Sequence, residues 1–527
     1  MASSALSALL DERVLSGVIA RARSATTLAS FNDQGERCGW CSHPIRLIGA
    51  VASVDSTTGE ILRTYSTNDE PDGVLLKACG TRRATRCPSC AATYASDARM
   101  LVRAGMSGGK GVPESVSQHP MVFATFTAPS FGAVHGTRSG DRTPCHPGAS
   151  KQRCVHGKSL TCWQRHRKDE SVLGEPLCPD CYDYQRSILW NATCPELWRR
   201  TTIYVRRELA RQLGVDAKQF DRELRLSFAK VAEFQRRGVV HLHAVIRLDE
   251  RDDECTAPRA GVTTSMLIAA LHAAVQKVSA PLPRGFSDDS LGLARWGQQL
   301  DLRVIAAHEQ DSTRTSDRGS DETSAARSSR AVANYVAKYA TKSTDDAGAL
   351  DRRLTSLDDL SARGVSAHLY RLVETAWNLG VLAHLPRLRA WAHSLGFGGH
   401  WLTKSRRYSV TFSFLRSQRQ AWQVQRRQGI ANASAPAIAL GVWKWVGTGW
   451  RTAGDEWIAA LRQIARLHSR LEARDARRSE AETFTDIEHQ WTSEFSRISM
   501  TSLATMSPNI AKGEMSNDRR EGSDEGE

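Results

Sequence analysis

Two histidines one residue apart, His241-Leu242-His243, lie in an apolar run with Val239, Val240, Ala244, Val245 and Ile246 that reads as a β-strand. Alternate strand residues share a face, so Val240, Leu242, Ala244, Ile246 and Leu248 form a packing face and Val239, His241, His243 and Val245 point the other way. Two unpartnered imidazoles are costly to bury, which predicts that they line an open cleft. The sequence upstream reads Glu233-Phe234-Gln235-Arg236-Arg237-Gly238. If Arg236-Arg237-Gly238 is a three-residue hairpin loop with a left-handed glycine, Gln235 pairs with Val239, and Glu233 lies across from His241 and diagonal to His243. Glu233, His241 and His243 would then converge on one divalent cation and leave positions open for water or a substrate oxygen. A two-residue turn would instead put Phe234 opposite His241, and the plain alternative is a pair of structural histidines. Alternation from Glu233 also puts Lys230 on the packed face, a local misfit.

A second constellation lies about ninety residues on, in AVANYVAKYATKS (331–343). On a helix Tyr335, Lys338, Tyr339 and Lys342 share one face, with Val332, Val336 and Ala340 opposite. Tyrosines at i and i+4 are usually core aromatics, but a core does not tolerate two unpaired lysines on the same face. A phenol is a poor nucleophile near neutrality, and an adjacent ammonium favours phenolate and stabilises charge on a phosphate. The pattern equips a tyrosine to attack a phosphodiester.

Twelve cysteines in a chain without an evident export signal favour metal ligation over disulfides. Cys38-Gly-Trp-Cys41 and Cys87-Pro-Ser-Cys90 are two C-x-x-C knuckles suited to one four-sulfur zinc site, with Cys79 as a fifth thiol able to replace a member. Cys178-Pro-Asp-Cys181 is a third knuckle, preceded by Cys145, Cys154 and Cys162 with His146, His156 and His166 nearby. The preferred second quartet is Cys154, Cys162, Cys178 and Cys181. Both sites would be closed and structural, since four protein ligands leave no place for substrate.

These groups need a scaffold. The chain has 527 residues, enough for about three domains. Its formal charge of +14 favours a polyanionic partner, nucleic acid before an anionic membrane surface. Apolar residues at 41% exclude a wholly disordered chain, and no apolar run approaches the ~20 residues of a membrane helix. The N-terminus lacks a basic n-region and reads as an amphipathic helix, so a cytoplasmic protein is expected. Four regions follow. Residues 1–115 form a zinc-ribbon-like region ending in a Gly-rich turn. Residues 116–345 alternate strands and helices as an α+β sheet with helices on one face, and carry the second Cys-rich insert at 145–194. Residues 346–500 are basic and mainly helical by pattern, and 501–527 form a disordered, acidic tail. Residues 309–330, Ser/Thr/Asp/Arg-rich, read as a loop.

In the basic region Lys404, Arg406 and Arg407 are the chosen DNA contacts. Arg416, Arg419, Arg426 and Arg427 interleave with Tyr408, Phe412, Phe414 and Trp422 in a mixture suited to backbone contact and base stacking. Trp443, Trp445 and Trp450 are expected to pack. No P-loop is present, so a built-in helicase is not expected.

Taken together, these motifs resemble the HUH endonuclease superfamily of rolling-circle initiators, related transposases and relaxases. His241-Leu242-His243 matches the histidine–hydrophobe–histidine motif, YVAKYATK resembles the two-tyrosine motif of microvirus-type phage replication proteins, and VFATFTAPSFG (122–132) looks like the upstream motif. The tyrosines follow the histidines, the order of replication initiators. RCPSC, GGKGVPESV, LCPDCYDY, AEFQRRGVVHLHAVIRL, NYVAKYATKS and LGFGGHWLTKSRRYS narrow the resemblance to actinobacterial plasmid and integrative-element replication initiators, over about residues 38–408.

The resemblance implies an HUH-type antiparallel sheet and metal-dependent nicking of single-stranded DNA at a plasmid origin. His241 and His243 would bind Mn²⁺ or Mg²⁺, with Glu233 as third ligand by register and analogy. Tyr335 or Tyr339 would form a 5′-phosphotyrosyl link and leave a 3′-OH primer, beside structural Zn²⁺. Partners would be single-stranded and origin double-stranded DNA, a host helicase and a polymerase, with no membrane. An HUH transposase would share the chemistry, and a non-catalytic zinc-ribbon DNA-binding regulator would need neither tyrosine. Zinc hydrolase chemistry lacks an HExxH motif.

Overall fold

The computed structural model describes residues 11–137, 143–148, 153–252, 254–259, 261–286, 292–305, 332, 335, 353–361, 364–428 and 437–479. In chain order the strands are β1 (Ile45–Asp55), β2 (Ile61–Ser66), β3 (Leu75–Lys77), β4 (Met121–Phe126), β5 (Leu224–Phe234), β6 (Val240–Glu250), β7 (Ala280–Pro281), β8 (Leu293–Ala294), β9 (Leu300–Val304), β10 (Leu402–Lys404) and β11 (Ala437–Thr448). The fold is α+β with antiparallel sheets.

The chain divides into two units. One comprises Met1–Tyr94 with Trp422–Glu527, the other Ala95–Ala421. These units cut across the four segments expected from sequence, because the chain returns to its N-terminal part after residue 421.

In the first unit β11 pairs along the whole of β1, with β2 and β3 also on β1. The helix Glu12–Ala22 is amphipathic, while residues 1–10 of the expected N-terminal helix lie outside the described residues. Its buried Arg21 is held by Asp455, from the helix Ala453–Ser479, at 2.7 Å, and by Asp72. The mainly helical reading of 346–500 therefore misses a twelve-residue strand. Trp443 and Trp445, expected to pack, stand exposed on β11, whereas Trp450 does pack, against Phe31 and Trp40 at 5.6 and 6.0 Å between ring centroids. The local pattern missed β11 because its pairing partner lies nearly 400 residues away in sequence.

The second unit holds a five-stranded sheet in the order β10-β5-β6-β4-β9. Val240, Leu242, Ala244, Ile246 and Leu248 of β6 are all buried, with Val122, Ala124 and Phe126 of β4 beside them. The helices Tyr184–Gln212 and Thr264–Lys277 share this core. The second presents Leu267, Ala270, Leu271 and Ala274 at i, i+3, i+4 and i+7, and its N-cap Thr263 accepts from the Met266 amide. Full burial of a Leu of this kind contributes about 2 kcal/mol.

Helices do not cover that face alone. On the other face, residues 95–107 of the helix Pro88–Ser107 reach the buried Arg247, which donates to the Gly105 carbonyl. Gly105, read from sequence as part of a turn, lies inside this helix; a Cβ there would fall 2.2 Å from the Tyr408 ring. Arg247 also donates to Asp249 at 2.5 Å, and His119 and Ser227 reach the same carboxylate at 2.8 and 2.6 Å. This buried polar network closes one end of the sheet.

Candidate active site

The turn between β5 and β6 is the three-residue loop. Gln235 donates its amide to the Val239 carbonyl at 2.9 Å, and Gly238 is left-handed with φ +76°. Glu233 consequently stands opposite His241. Its Oε2 lies 3.2 Å from His243 Nε2, and the two imidazole centroids are 4.6 Å apart. Lys230 is indeed buried on the packed face, 5.8 Å over the Trp198 ring, and burial lowers its pKa.

The expected open cleft is only partly present. His241 is half-buried, but His243 is fully buried, stacked on Phe123 at 5.9 Å and met edge-on by Tyr335 at 5.2 Å. The aromatic rings exclude water from one imidazole while its neighbour stays partly reachable. Burial lowers both histidine pKa values, to about 3 for His241 and about 4 for His243, so both rings are neutral at neutral pH. The neighbouring His243 and the half-buried Arg237 guanidinium lower His241 further.

Three residues of this site escaped the sequence reading. Thr125 Oγ1 lies 3.1 Å from His243 Nδ1, and Thr127 Oγ1 lies 3.2 Å from His241 Nε2. Arg237 donates to the carbonyls of Pro129 and Ala128 at 2.8 and 3.1 Å, tying the turn to the end of β4. Alternation along Phe123, Thr125 and Thr127 was the available signal, but pairing of β4 with β6 gives it meaning.

Tyr335 meets the histidine face, whereas Lys338, Tyr339 and Lys342 lie outside the described residues, as does the expected loop 309–330. Glu233, His241 and His243 are not among the described donor sets whose ligand atoms all fall within 4.8 Å of one another.

Three cysteine- and histidine-rich groups do meet that geometry. The first is Cys41, Cys79, Cys87 and Cys90. Cys38, expected as a ligand, is replaced by Cys79; its thiol turns back to the Gly35 carbonyl at 3.3 Å. The expected quartet Cys154, Cys162, Cys178 and Cys181 is also corrected. Cys154, Cys178 and Cys181 join His156, while Cys162 joins His135, Cys145 and His166. Spacing alone could not separate two interleaved sets.

Of the proposed DNA contacts, Arg406 and Arg407 are exposed. Lys404 is half-buried and donates to the carbonyls of Ser405, Arg406 and Ser409, so its ammonium is spent on shaping the turn. Tyr408 is core, its hydroxyl donating to the Val102 carbonyl at 2.9 Å, and Arg419 pairs with Asp97.

The sheet and its histidine face define a basic α+β protein with a metal-ligand-type side-chain set beside a tyrosine. Residues 27–464 match the family model described as RepSA, the replication initiator protein of pSAM2. A replication initiator protein of Streptomyces ambofaciens is 41% identical over 462 residues, 86% of this chain and 93% of that protein. The chain belongs to this family of replication initiators, and DNA binding follows from that membership. No solved structure gives a significant match. Among the described residues, no helix is long and apolar enough to cross a membrane.

Proposed function

We propose that this initiator nicks one strand of plasmid origin DNA by metal-dependent tyrosine transesterification in an HUH-type site. The observation that carries this reading is the placement of the Tyr335 ring with its centroid 5.2 Å from that of His243, whose Nε2 lies 3.2 Å from Glu233 Oε2. Adjacent ligand atoms on an octahedral Mn²⁺ or Mg²⁺ ion are separated by about 3 Å, so these two donors already have compatible spacing. His241, whose ring centroid lies 4.6 Å from that of His243, would complete the set. With His243 Nδ1–H donating to Thr125, the Nε2 lone pair faces the carboxylate, a tautomer suited to ligation. Neutral imidazoles are the required state. A cation held by Glu233, His241 and His243 would supply Lewis acidity at the scissile phosphate.

The chain's own residues do the rest. The Tyr335 oxygen forms a bond to phosphorus as the bond to the 3′ oxygen breaks. The phenol loses its proton to solvent and the departing oxygen gains one, leaving a 5′-phosphotyrosyl link and a 3′-OH. Tyr339 is the second nucleophile in this reading, and Lys338 and Lys342 stabilise phosphate charge. Arg406 and Arg407 contact the DNA backbone. The 3′-OH would serve a host polymerase, with a host helicase opening the duplex.

The test incubates full-length protein with Mn²⁺ and single-stranded origin fragments, then seeks a covalent adduct on denaturing gels. Wild type should form it, the Tyr335→Phe/Tyr339→Phe double variant should form none, and the single variants rank the tyrosines. Wild-type protein that binds the fragments without ever becoming attached would favour the non-catalytic DNA-binding regulator instead.

A further inference from the structure

Among its described residues, the segment 135–181 has almost no hydrophobic core of its own. Between residues 135 and 173 the only buried non-glycine side chains among the described residues are Cys145 and His166. What stands at its centre is donor atoms. In one group His135 Nδ1 lies 3.1 Å from His166 Nε2 and 3.9 Å from Cys145 Sγ, and Cys162 Sγ lies 3.4 Å from His166 Nε2. In the other, His156 Nδ1 lies 3.2 Å from Cys181 Sγ and 3.7 Å from Cys178 Sγ.

Those separations are the edges of tetrahedra. Bonds of about 2.3 Å to sulfur and 2.0 Å to nitrogen give edges of roughly 3.3 to 3.8 Å. A disulfide needs sulfurs about 2.05 Å apart, and none of the twelve cysteines is in a disulfide. The surroundings are also those of ligands. Glu170 Oε2 lies 2.7 Å from His166 Nδ1, which fixes the tautomer that leaves Nε2 as the donor. The Gly136 amide donates to Cys145 Sγ at 3.3 Å. His146 Nδ1 also approaches Cys145, at 3.0 Å, but His146 stands outside the four-donor set.

The order along the chain is informative. His135 and Cys145 belong to the first group, Cys154 and His156 to the second, Cys162 and His166 to the first again, Cys178 and Cys181 to the second. Ligand pairs alternate, so neither group can open without releasing the loop that presents the other.

The module also grips the turn of the histidine hairpin. Arg236 donates to the carbonyls of Glu170 and Lys168 at 2.9 and 2.5 Å, and Tyr182 donates to the Arg237 carbonyl at 3.0 Å. Gly174, with φ +91°, packs so closely that a Cβ would fall 2.5 Å from the Arg236 carbonyl carbon.

We propose that residues 135–181 bind two zinc ions in a cross-braced module, His135/Cys145/Cys162/His166 and Cys154/His156/Cys178/Cys181, that holds the 235–239 turn. With one ion in the Cys41/Cys79/Cys87/Cys90 group the chain carries three. This inference is independent of the strand-cutting chemistry.

Native mass spectrometry of the full-length protein reads the metal count. Wild type should hold three zinc ions, Cys162→Ser and Cys178→Ser should each lose at least one, the double variant two, and His146→Ala none. A wild-type chain with fewer than two ions overturns the proposal without relying on the folding of any variant, and so does a double variant that loses only one. Amide exchange at residues 235–239 reads the second half. It should accelerate on the order of tenfold in Cys162→Ser; unchanged exchange there removes the link to the turn. Neither readout involves DNA, so failure here leaves the nicking reading untouched.

Discussion

The insert and the histidine hairpin use the same kinds of side chain for opposite ends. In the insert, Cys and His donors face one another at tetrahedral spacing and satisfy themselves. In the hairpin, His241 and His243 share a strand face with Glu233, but Thr125 and Thr127 also engage their nitrogens and Tyr335 leans on one ring. Four converging protein donors close a site, whereas two or three with hydroxyl supports leave it adjustable and open to a substrate oxygen. Closure would stabilise a segment whose described residues bury little else, and incompleteness would permit chemistry.

The largest effect should come from breaking a closed group. Replacing Cys87 by Ser in the first unit removes one of the four thiols that would hold a zinc ion, and a structural site of this kind contributes several kcal/mol to folding. A drop in thermal midpoint of the Cys87→Ser chain, reproduced in wild type by a chelator, checks this. Intact stability in both would make the closed groups dispensable and erase the contrast.

A smaller effect belongs to the open site. Thr125→Val keeps the shape beside His243 but removes the hydroxyl, and adduct formation should fall ~10- to 100-fold, the usual result of losing a residue that orients a ligand. Raising Mn²⁺ should restore part of it. A stability loss with unchanged adduct yield would make Thr125 a packing residue.

Acid offers a third probe. Both histidine pKa values are lower in the folded protein than their ordinary 6.5, so the unfolded chain binds more protons as pH falls. Stability from these groups is present above pH 6.5 and is lost as pH falls towards 4, at up to roughly 1.4 kcal/mol per pH unit for each ring. Metal-free protein followed by thermal melting should show this slope, and His241→Gln/His243→Gln should flatten it. The smallest change is at the surface. Arg407→Ala should weaken DNA binding a few-fold and reduce the slope of log affinity against log salt by about one.

The hairpin was legible in advance because its information is local. A period of two fixed which side chains of β6 face the core, and Arg236-Arg237-Gly238 fixed the register that sets Glu233 opposite His241. Cysteine spacing announced clustered thiols for the same reason. It could not choose Cys79 over Cys38, nor separate two alternating ligand sets, because each set is assembled across loops whose folding brings distant donors together. The burial of His243 likewise depends on Phe123 and Tyr335, which approach from separate parts of the chain.

Sequence by itself determined the chemistry on offer: basic charge, paired imidazoles, a tyrosine–lysine pattern and thiol knuckles. Tertiary structure decided which of them meet. β11 became a strand only by pairing with β1, Lys404 was drawn into its own turn, and the insert sorted its ligands into two groups. Backbone periodicity is written over a few neighbouring residues, whereas ligation and strand pairing depend on distances that only the folded chain sets.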